Sequence, residues 1–344
     1  MKRIKFGNKN LDIKNETIRH VISAALSCPD ITREAVSRRA SVSLATAGKV
    51  LSALDDCRFT ELKYIRDNRI GSPSKSHVLC PDLSVLVLDL SSSLYTAHIV
   101  FGKARRVISE KYKYNPAISF EDNVVVFLSN VGKRISKLDY SVSDICTVIS
   151  DTPDRILYTS DATAAYVPRS SDLSTLNGYC ARFFGLMPSL SLTKSEAIAC
   201  AVRYDVLDTP HEKELSYVSI SDCIDAFYLP KSAPPVNCNV DRLMIDSSTL
   251  LSDFTQRANS SPDMALILSR CLNFMGCAFS TDEFWVEIDH SRFSDIGKRV
   301  ELFFKSVELT APHIHYLDSE PPAAVLGASI EILCSLITSR IRGV

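Results

Sequence analysis

Apolar positions in the first sixty residues fall into helical stripes. Ile18, Val21, Ile22, Ala25 and Leu26 stand at i, i+3, i+4, i+7 and i+8, one face of a helix that Asn15 can cap and Pro29 ends. Thr32 is a second N-cap, with Ile31 before it and Val36 inside the helix, the arrangement of a hydrophobic staple. That helix is short, about Arg33 to Arg39. The turn Ala40-Ser41-Val42 leads to a third helix, capped by Ser43, with Ala47, Val50, Leu51 and Leu54 on one face. Three short helices joined by tight turns follow the helix-turn-helix plan. Cys57–Lys63 reads as one strand of a wing, and Arg66–Ser76 as polar, Pro- and Gly-containing linker. The pattern places a winged helix-turn-helix domain at 1–70 and a linker at 71–80.

From Leu83 the signal changes. Ser84–Leu90 is a nearly continuous apolar run, as a buried strand requires. Leu94–Phe101 and Arg105–Lys111 read as a hairpin, Ser119 to about Lys137 as a helix, Ile145–Ser150 as another buried strand, and Ser171–Phe184 and Lys194–Arg203 as helices. A second block repeats the order: strands at Leu215–Ile220 and Ala226–Leu229, helix Asp263–Phe279, strand Phe284–Ile288, helix Arg292–Ser306, strand His313–Leu317. A last helix, Ala323–Arg340, is apolar almost all round and should be buried. Strands followed by alternating helix and strand, twice over, predict a two-lobed α/β body at 81–344 with a cleft between lobes near 81–205 and 206–344. The duplication lies only in the order of elements; no sequence repeat accompanies it.

Charge divides the chain the same way. Residues 1–79 hold fifteen Lys and Arg against eight Asp and Glu, a net +7, while the rest carries a net −8. A basic module on an acidic body suggests a polyanionic partner; a solvated basic tail is the plainer alternative. The outer face of the third helix bears Ala45, Gly48, Lys49 and Ser52, with Thr46 beside it. Small residues let a helix sit deep in the major groove of double-stranded DNA, its first residues reaching the base edges. Arg33, Arg38 and Arg39 before it, and Lys63, Arg66 and Arg69 after it, suit the phosphate backbone. The candidate DNA-contacting set is therefore Arg33, Arg38, Arg39, Ser43, Ala45, Thr46, Lys49 and Ser52. A small helical protein-binding domain is the competing reading.

Composition narrows the rest. The chain is 46% hydrophobic and 23% charged, as globular proteins are. No apolar run approaching the ~20 residues of a membrane span stands out, and no membrane partner is expected. Eleven singly spaced cysteines read as reduced thiols of a cytoplasmic protein. Eleven glycines with no GG and no GxG exclude glycine-rich phosphate loops. His313 and His315 share one face of a strand, but with no carboxylate beside them in sequence they make a poor metal site. Trp285 reads as core, and Asp289-His290 has no nucleophile partner by spacing.

The whole pattern resembles the ROK family (repressor, open reading frame, kinase), specifically its repressor branch. The residues that carry this are Ile31-Thr32-Arg33-Glu34-Ala35 followed by Val42-Ser43-Leu44-Ala45-Thr46, Gly71-Ser72-Pro73 in the linker, Asp89-Leu90-Ser91-Ser92-Ser93 at the first phosphate loop, and Leu326-Gly327-Ala328-Ser329 at the last helix. The resemblance implies a winged helix-turn-helix ahead of a body with the duplicated, ribonuclease H-like actin and sugar-kinase fold. It places Asp89, Ser91 and Thr193 in the inter-lobe pocket. It also exposes departures. The glycine pair after Asp89 is absent, so backbone amides approach a phosphate less closely. Thr193 stands where the family has its catalytic aspartate, and a threonine hydroxyl is no general base at neutral pH. Glu196 is the nearby substitute, more plainly a charge in a first helical turn. The family's zinc ligands, one histidine and three clustered cysteines, are not matched by Cys223, Cys238, Cys271 and Cys277, spaced by fifteen, thirty-three and six. The segment Asn239–Asp246 lacks the matching sugar-binding Glu and His.

The expectation is a non-enzymatic, sequence-specific transcriptional repressor, acting as a homodimer on operator DNA, with no cofactor or metal and with room for a sugar-like effector. A divergent ATP-dependent sugar kinase and a ligand-free dimerisation scaffold are the alternatives.

Overall fold

The computed structural model describes residues 13–28, 31–65, 74–79, 84–92, 94–101, 105–137, 142–151, 156–158, 164–166, 172–203, 214–220, 224–230, 234–238, 240, 261–288, 295–317 and 322–342. The N-terminal module opens with α1 (Asn15–Ser27), α2 (Arg33–Arg39) and α3 (Leu44–Asp56). Their inward faces, including Ile18, Val21, Ile22, Val36, Val50 and Leu51, are buried together. Two of the three expected caps form. Thr32 Oγ1 accepts from the Ala35 amide at 3.1 Å, and Ser43 Oγ from the Thr46 amide at 3.1 Å. Asn15 does not cap α1: Lys14 holds that position, without a side-chain bond. Ser41 takes a left-handed φ of 51° in the turn between α2 and α3, which closes the turn in three residues.

A two-stranded ribbon follows α3. β1 (Thr60–Ile65) pairs antiparallel with β2 (Ser74–Leu79), Thr60 opposite Leu79. Thus the stretch read as linker at 71–80 contains a strand. Its polar sequence hides it, because its hydrogen bonds come from distant partners: β1, and Ile31, whose carbonyl accepts from the His77 amide at 2.8 Å. Asp55, at the end of α3, ties the ribbon down. Its Oδ1 accepts from Thr60 Oγ1 at 2.5 Å and lies 3.0 Å from His77 Nδ1. Pro29, Arg66, Arg69 and Gly71-Ser72-Pro73 lie outside the described residues.

The body has two five-stranded sheets of one topology. The first lobe runs β3 (Ser84–Asp89), β4 (Leu94–Phe101), β5 (Arg105–Lys113), α4 (Phe120–Ile135), β6 (Asp144–Ile149), a small hairpin β7 (Ile156–Tyr158) and β8 (Ala164–Tyr166), α5 (Leu173–Phe184), β9 (Leu190–Thr193) and α6 (Lys194–Arg203). Its sheet order is β5-β4-β3-β6-β9. The second lobe runs β10 (Leu215–Ile220), β11 (Ile224–Leu229), β12 (Val236–Asn237), α7 (Ser261–Phe279), β13 (Glu283–Glu287), α8 (Ile296–Ser306) and β14 (His313–Leu317), with order β12-β11-β10-β13-β14; the last helix, α9 (Ala323–Arg342), returns to pack on α6, β6 and β3 of the first lobe, although the sequence reading had put it in the second. In each, three antiparallel strands precede two parallel ones. β3 and β10 are central in their sheets and buried on both faces; β3 is the nearly continuous apolar run, while β10 buries Ser216 and Ser219 along with its apolar residues.

α9 is the helix on which the parts meet. By length and composition it is apolar enough to cross a membrane, with a mean hydropathy of 1.6, which the sequence reading overlooked; 72% of that stretch is buried inside the protein, as in a core helix. It packs against α6 so closely that a Cβ at Gly327 would lie 1.8 Å from the Ala197 carbonyl oxygen. Only glycine permits that approach.

Candidate nucleic-acid interface and a sealed inter-lobe site

On α3, burial separates the two faces. Ala47, Val50, Leu51 and Leu54 are buried, while Ser43, Leu44, Ala45, Lys49 and Ser52 are exposed and Thr46 is half-buried. Ser43 and Thr46 are committed to the helix start, their hydroxyls 2.9 Å apart. Gly48 differs from its expected role. It lies under Arg33, whose Nε would stand 2.7 Å from a Cβ there. Gly48 therefore makes room for a guanidinium carried alongside α3. Arg38 is exposed and Arg39 half-buried. Lys63 sits on β1, and nothing is described of its side chain. The sequence reading missed Leu44, 50% exposed at the first turn of α3. A large apolar side chain in that place is the only signal, and one that thymine methyl groups would complement.

The residues that the resemblance places between the lobes are built differently. Asp89 and Thr193 end β3 and β9, which flank β6 in parallel, so both sit at the carboxyl end of these strands, two strands apart, on the order of 10 Å. Each is already occupied. Asp89 Oδ1 accepts from the Ser91 amide at 2.9 Å and its hydroxyl at 2.6 Å, a closed local turn with Ser91 buried. Thr193 is the N-cap of α6. Its amide donates to Glu196 Oε2 at 2.9 Å, and the Glu196 amide approaches Thr193 Oγ1 at 3.3 Å. This is the reciprocal T-x-x-E box, so neither residue is placed as a base.

Two further groups, unnoticed in the sequence, complete the seal. Asp151, just past β6, accepts from the Ser195 amide at 2.9 Å and from the Ser195 hydroxyl. The α6 N-terminus, a natural anion site, thus holds the protein's own carboxylate. Burial pushes the Asp151 carboxyl upward, against the Ser195 and Thr193 hydrogen bonds, with the Asp225 charge adding to the rise. Lys194 reaches across the lobes: its Nζ lies 2.7 Å from Asp225 Oδ2 on β11, both residues buried. The three residues between β10 and β11, Ser221-Asp222-Cys223, lie outside the described residues and include no glycine.

The sealed region connects to the N-terminal module through α9. At one end Glu287 on β13 accepts from the Ala323 amide at 2.9 Å and from Tyr217 Oη at 2.6 Å. Farther along, Glu331 pairs with Arg19 of α1, Arg340 lies 5.5 Å from the Phe59 ring centroid, and Arg342 donates to the Ile13 carbonyl at 2.6 Å.

Of the four cysteines weighed as zinc ligands, Cys223 lies outside the described residues. Cys271 and Cys277 lie on α7, one buried and one exposed, and no ligand group among the described residues includes a cysteine. None of the nine described cysteines forms a disulfide, and burial pushes Cys180 and Cys200 up to about 12.

No family model and no curated protein matches the chain. Solved structures do. A ROK family transcriptional regulator, a homologue of the E. coli Mlc protein, aligns at a TM-score of 0.57 and 12% identity over 96% of this chain and 99% of its own. The inorganic polyphosphate/ATP-glucomannokinase of Arthrobacter sp. strain KM aligns at 0.52 and 16% over 74% of this chain and 99% of its own. A ROK family glucokinase of Streptomyces griseus, solved with glucose and AMPPNP, aligns at 0.50 and 13% over 72% and 98%. At such identities these likenesses establish the fold: the ROK, actin-like sugar-kinase body, preceded here by the helical module that the regulator also spans.

Proposed function

We propose that this chain is a DNA-binding transcription regulator whose ROK-type body has no phosphoryl-transfer activity. The observation that carries the reading is α3: a capped helix with one face in the core and Leu44, Ala45, Lys49 and Ser52 open to solvent, beside Arg33 and Arg38. With the ribbon after it and the Ile31–His77 bridge, the module follows the winged helix-turn-helix plan. Ala45, Lys49 and Ser52 face the bases, Leu44 takes a thymine methyl, and Arg33, Arg38 and Arg39 hold phosphates. Ser43 and Thr46 act by fixing the helix start.

A single module covers too few bases for strong selection, so the protein works as a cytoplasmic homodimer on two half-sites of an operator, and represses by occupying it. A sugar-like effector between the lobes would act by favouring one lobe arrangement over the other. α9 supplies the route, joined to Glu287 at one end and to Arg19 and Ile13 at the other. The enzymatic reading is disfavoured by the capping box at Thr193 and the Asp151 seal.

The test is fluorescence anisotropy of the purified protein against genomic fragments recovered at low salt. The double variant Arg38→Ala, Lys49→Ala should abolish specific binding and keep the circular dichroism spectrum. Unchanged affinity would reject the assignment.

A further inference from the structure

Glu283, His313 and His315 meet on one face of the second lobe's sheet. β14 is its edge strand, and its parallel register with β13 sets Glu283 beside His313 and Trp285 beside His315. His313 Nδ1 lies 3.2 Å from His315 Nε2, which lies 3.0 Å from Glu283 Oε1. All three ligand atoms fall within 4.8 Å of one another, the one such group of His, Cys, Asp or Glu among the described residues. The carboxylate that the histidine pair lacks in sequence comes from thirty residues upstream, across the strand pair.

Hydrogen bonding alone serves this group poorly. A ring nitrogen carries either one hydrogen or one lone pair. If His315 Nε2 donates, its single hydrogen must be shared between Glu283 and the His313 Nδ1 lone pair, a three-centre bond weaker in each arm. If it accepts from His313, its lone pair faces a carboxylate. A cation satisfies all three at once. Four ligands about 2.0–2.1 Å from a tetrahedral ion stand about 3.3 Å apart, close to the separations found here. Trp285, 4% exposed, stacks on His315 with centroids 4.5 Å apart and planes at 17°, holding the imidazole in place. The His313 amide donates to the Asp282 carbonyl at 2.7 Å, which fixes the backbone on the other side.

We propose that Glu283 Oε1, His313 Nδ1 and His315 Nε2 bind one divalent transition-metal ion. Two imidazoles and one carboxylate suit the borderline ions, Zn2+ foremost, over Ca2+ or Mg2+, which want oxygen ligands. Three protein ligands leave a fourth position to water or a small anion, and the ion clips edge strand β14 to β13. Trp285 is a positioning residue. The site owes nothing to the ROK-type cysteines or to the DNA-binding reading.

Trp285 is the chain's sole tryptophan and so reports on the site. The full-length protein, stripped with chelator, is titrated with Co2+ while its fluorescence is followed. Saturable, one-site quenching is expected, with the visible band of tetrahedral Co2+ appearing in step and both reversed by Zn2+. His313→Ala, at an exposed position away from the Trp285 stack, should weaken binding at least tenfold with an unchanged melting curve. Glu283→Gln should weaken it less while keeping the side chain's size. Quenching that never saturates, or identical titrations for the wild type and both variants, would overturn the proposal.

Discussion

Two helix starts in this protein use the same device to opposite ends. α3 and α6 each begin at a hydroxyl residue, Ser43 or Thr193, that caps the helix. Past the cap on α3, Leu44, Ala45 and Lys49 are exposed. Past the cap on α6, Glu196 closes the box, Asp151 binds the next amide, and Lys194 is buried against Asp225 of the other lobe. Both ends offer the partial positive charge that attracts phosphate. One is open to a polyanion from outside; the other is neutralised from within. The fold alone does not decide between regulator and kinase; what fills the helix N-terminus bears on it directly.

The inter-lobe seal should break hardest. Lys194→Met leaves the buried Asp225 carboxylate without its cation and should cost about 3–5 kcal/mol, read as a lower denaturation midpoint. Adding Asp225→Leu should recover much of that loss, since removing both charges removes the desolvation penalty as well. Next is Gly327→Ala. Its methyl would sit 1.8 Å from the Ala197 carbonyl oxygen, a backbone atom that cannot swing away, so α6 and α9 must part. The expected cost is about 3 kcal/mol, the upper range for overpacking, visible by calorimetry.

The open end yields smaller effects on stability. Ser43→Ala removes the α3 cap at a cost of about 1 kcal/mol, and because the cap fixes the helix that carries Lys49, DNA affinity should fall along with it. The smallest effect belongs to the sealed end, at Asp151→Asn. A carboxyl pushed up by burial is stabilised in its protonated form. Asp151 therefore helps the fold fully below the unfolded value near 3.8, and that help is lost as pH rises through the higher folded value. The variant should flatten this part of the pH–stability curve and change stability near pH 7 by less than about 1 kcal/mol.

What the sequence revealed and what it hid divide along locality. Helices α1 to α3 were legible because their apolar spacing, and the caps of α2 and α3, lie within a few residues, and β3 because a strand buried on both faces is apolar along most of its length. β2 was hidden: Ser74–Leu79 looks like linker until β1 and Ile31 pair with it. Thr193 was noticed for what it cannot do, but its cap needed the Glu196 geometry. Asp151–Ser195, Lys194–Asp225 and Glu283–His315 join residues thirty or more apart in sequence, so only the folded sheets bring them together.

The central claim is that the open helix start serves duplex DNA while the sealed one performs no phosphate chemistry. Binding of the intact protein to genomic fragments, measured as a function of salt, tests the first half most directly. The account predicts that log affinity for a recovered fragment falls steeply and linearly with log salt, and that the slope becomes shallower by about 2 in an Arg33→Ala, Arg38→Ala variant as two phosphate contacts are lost. No binding to any fragment at low salt, or a slope unchanged by the double substitution, would contradict it.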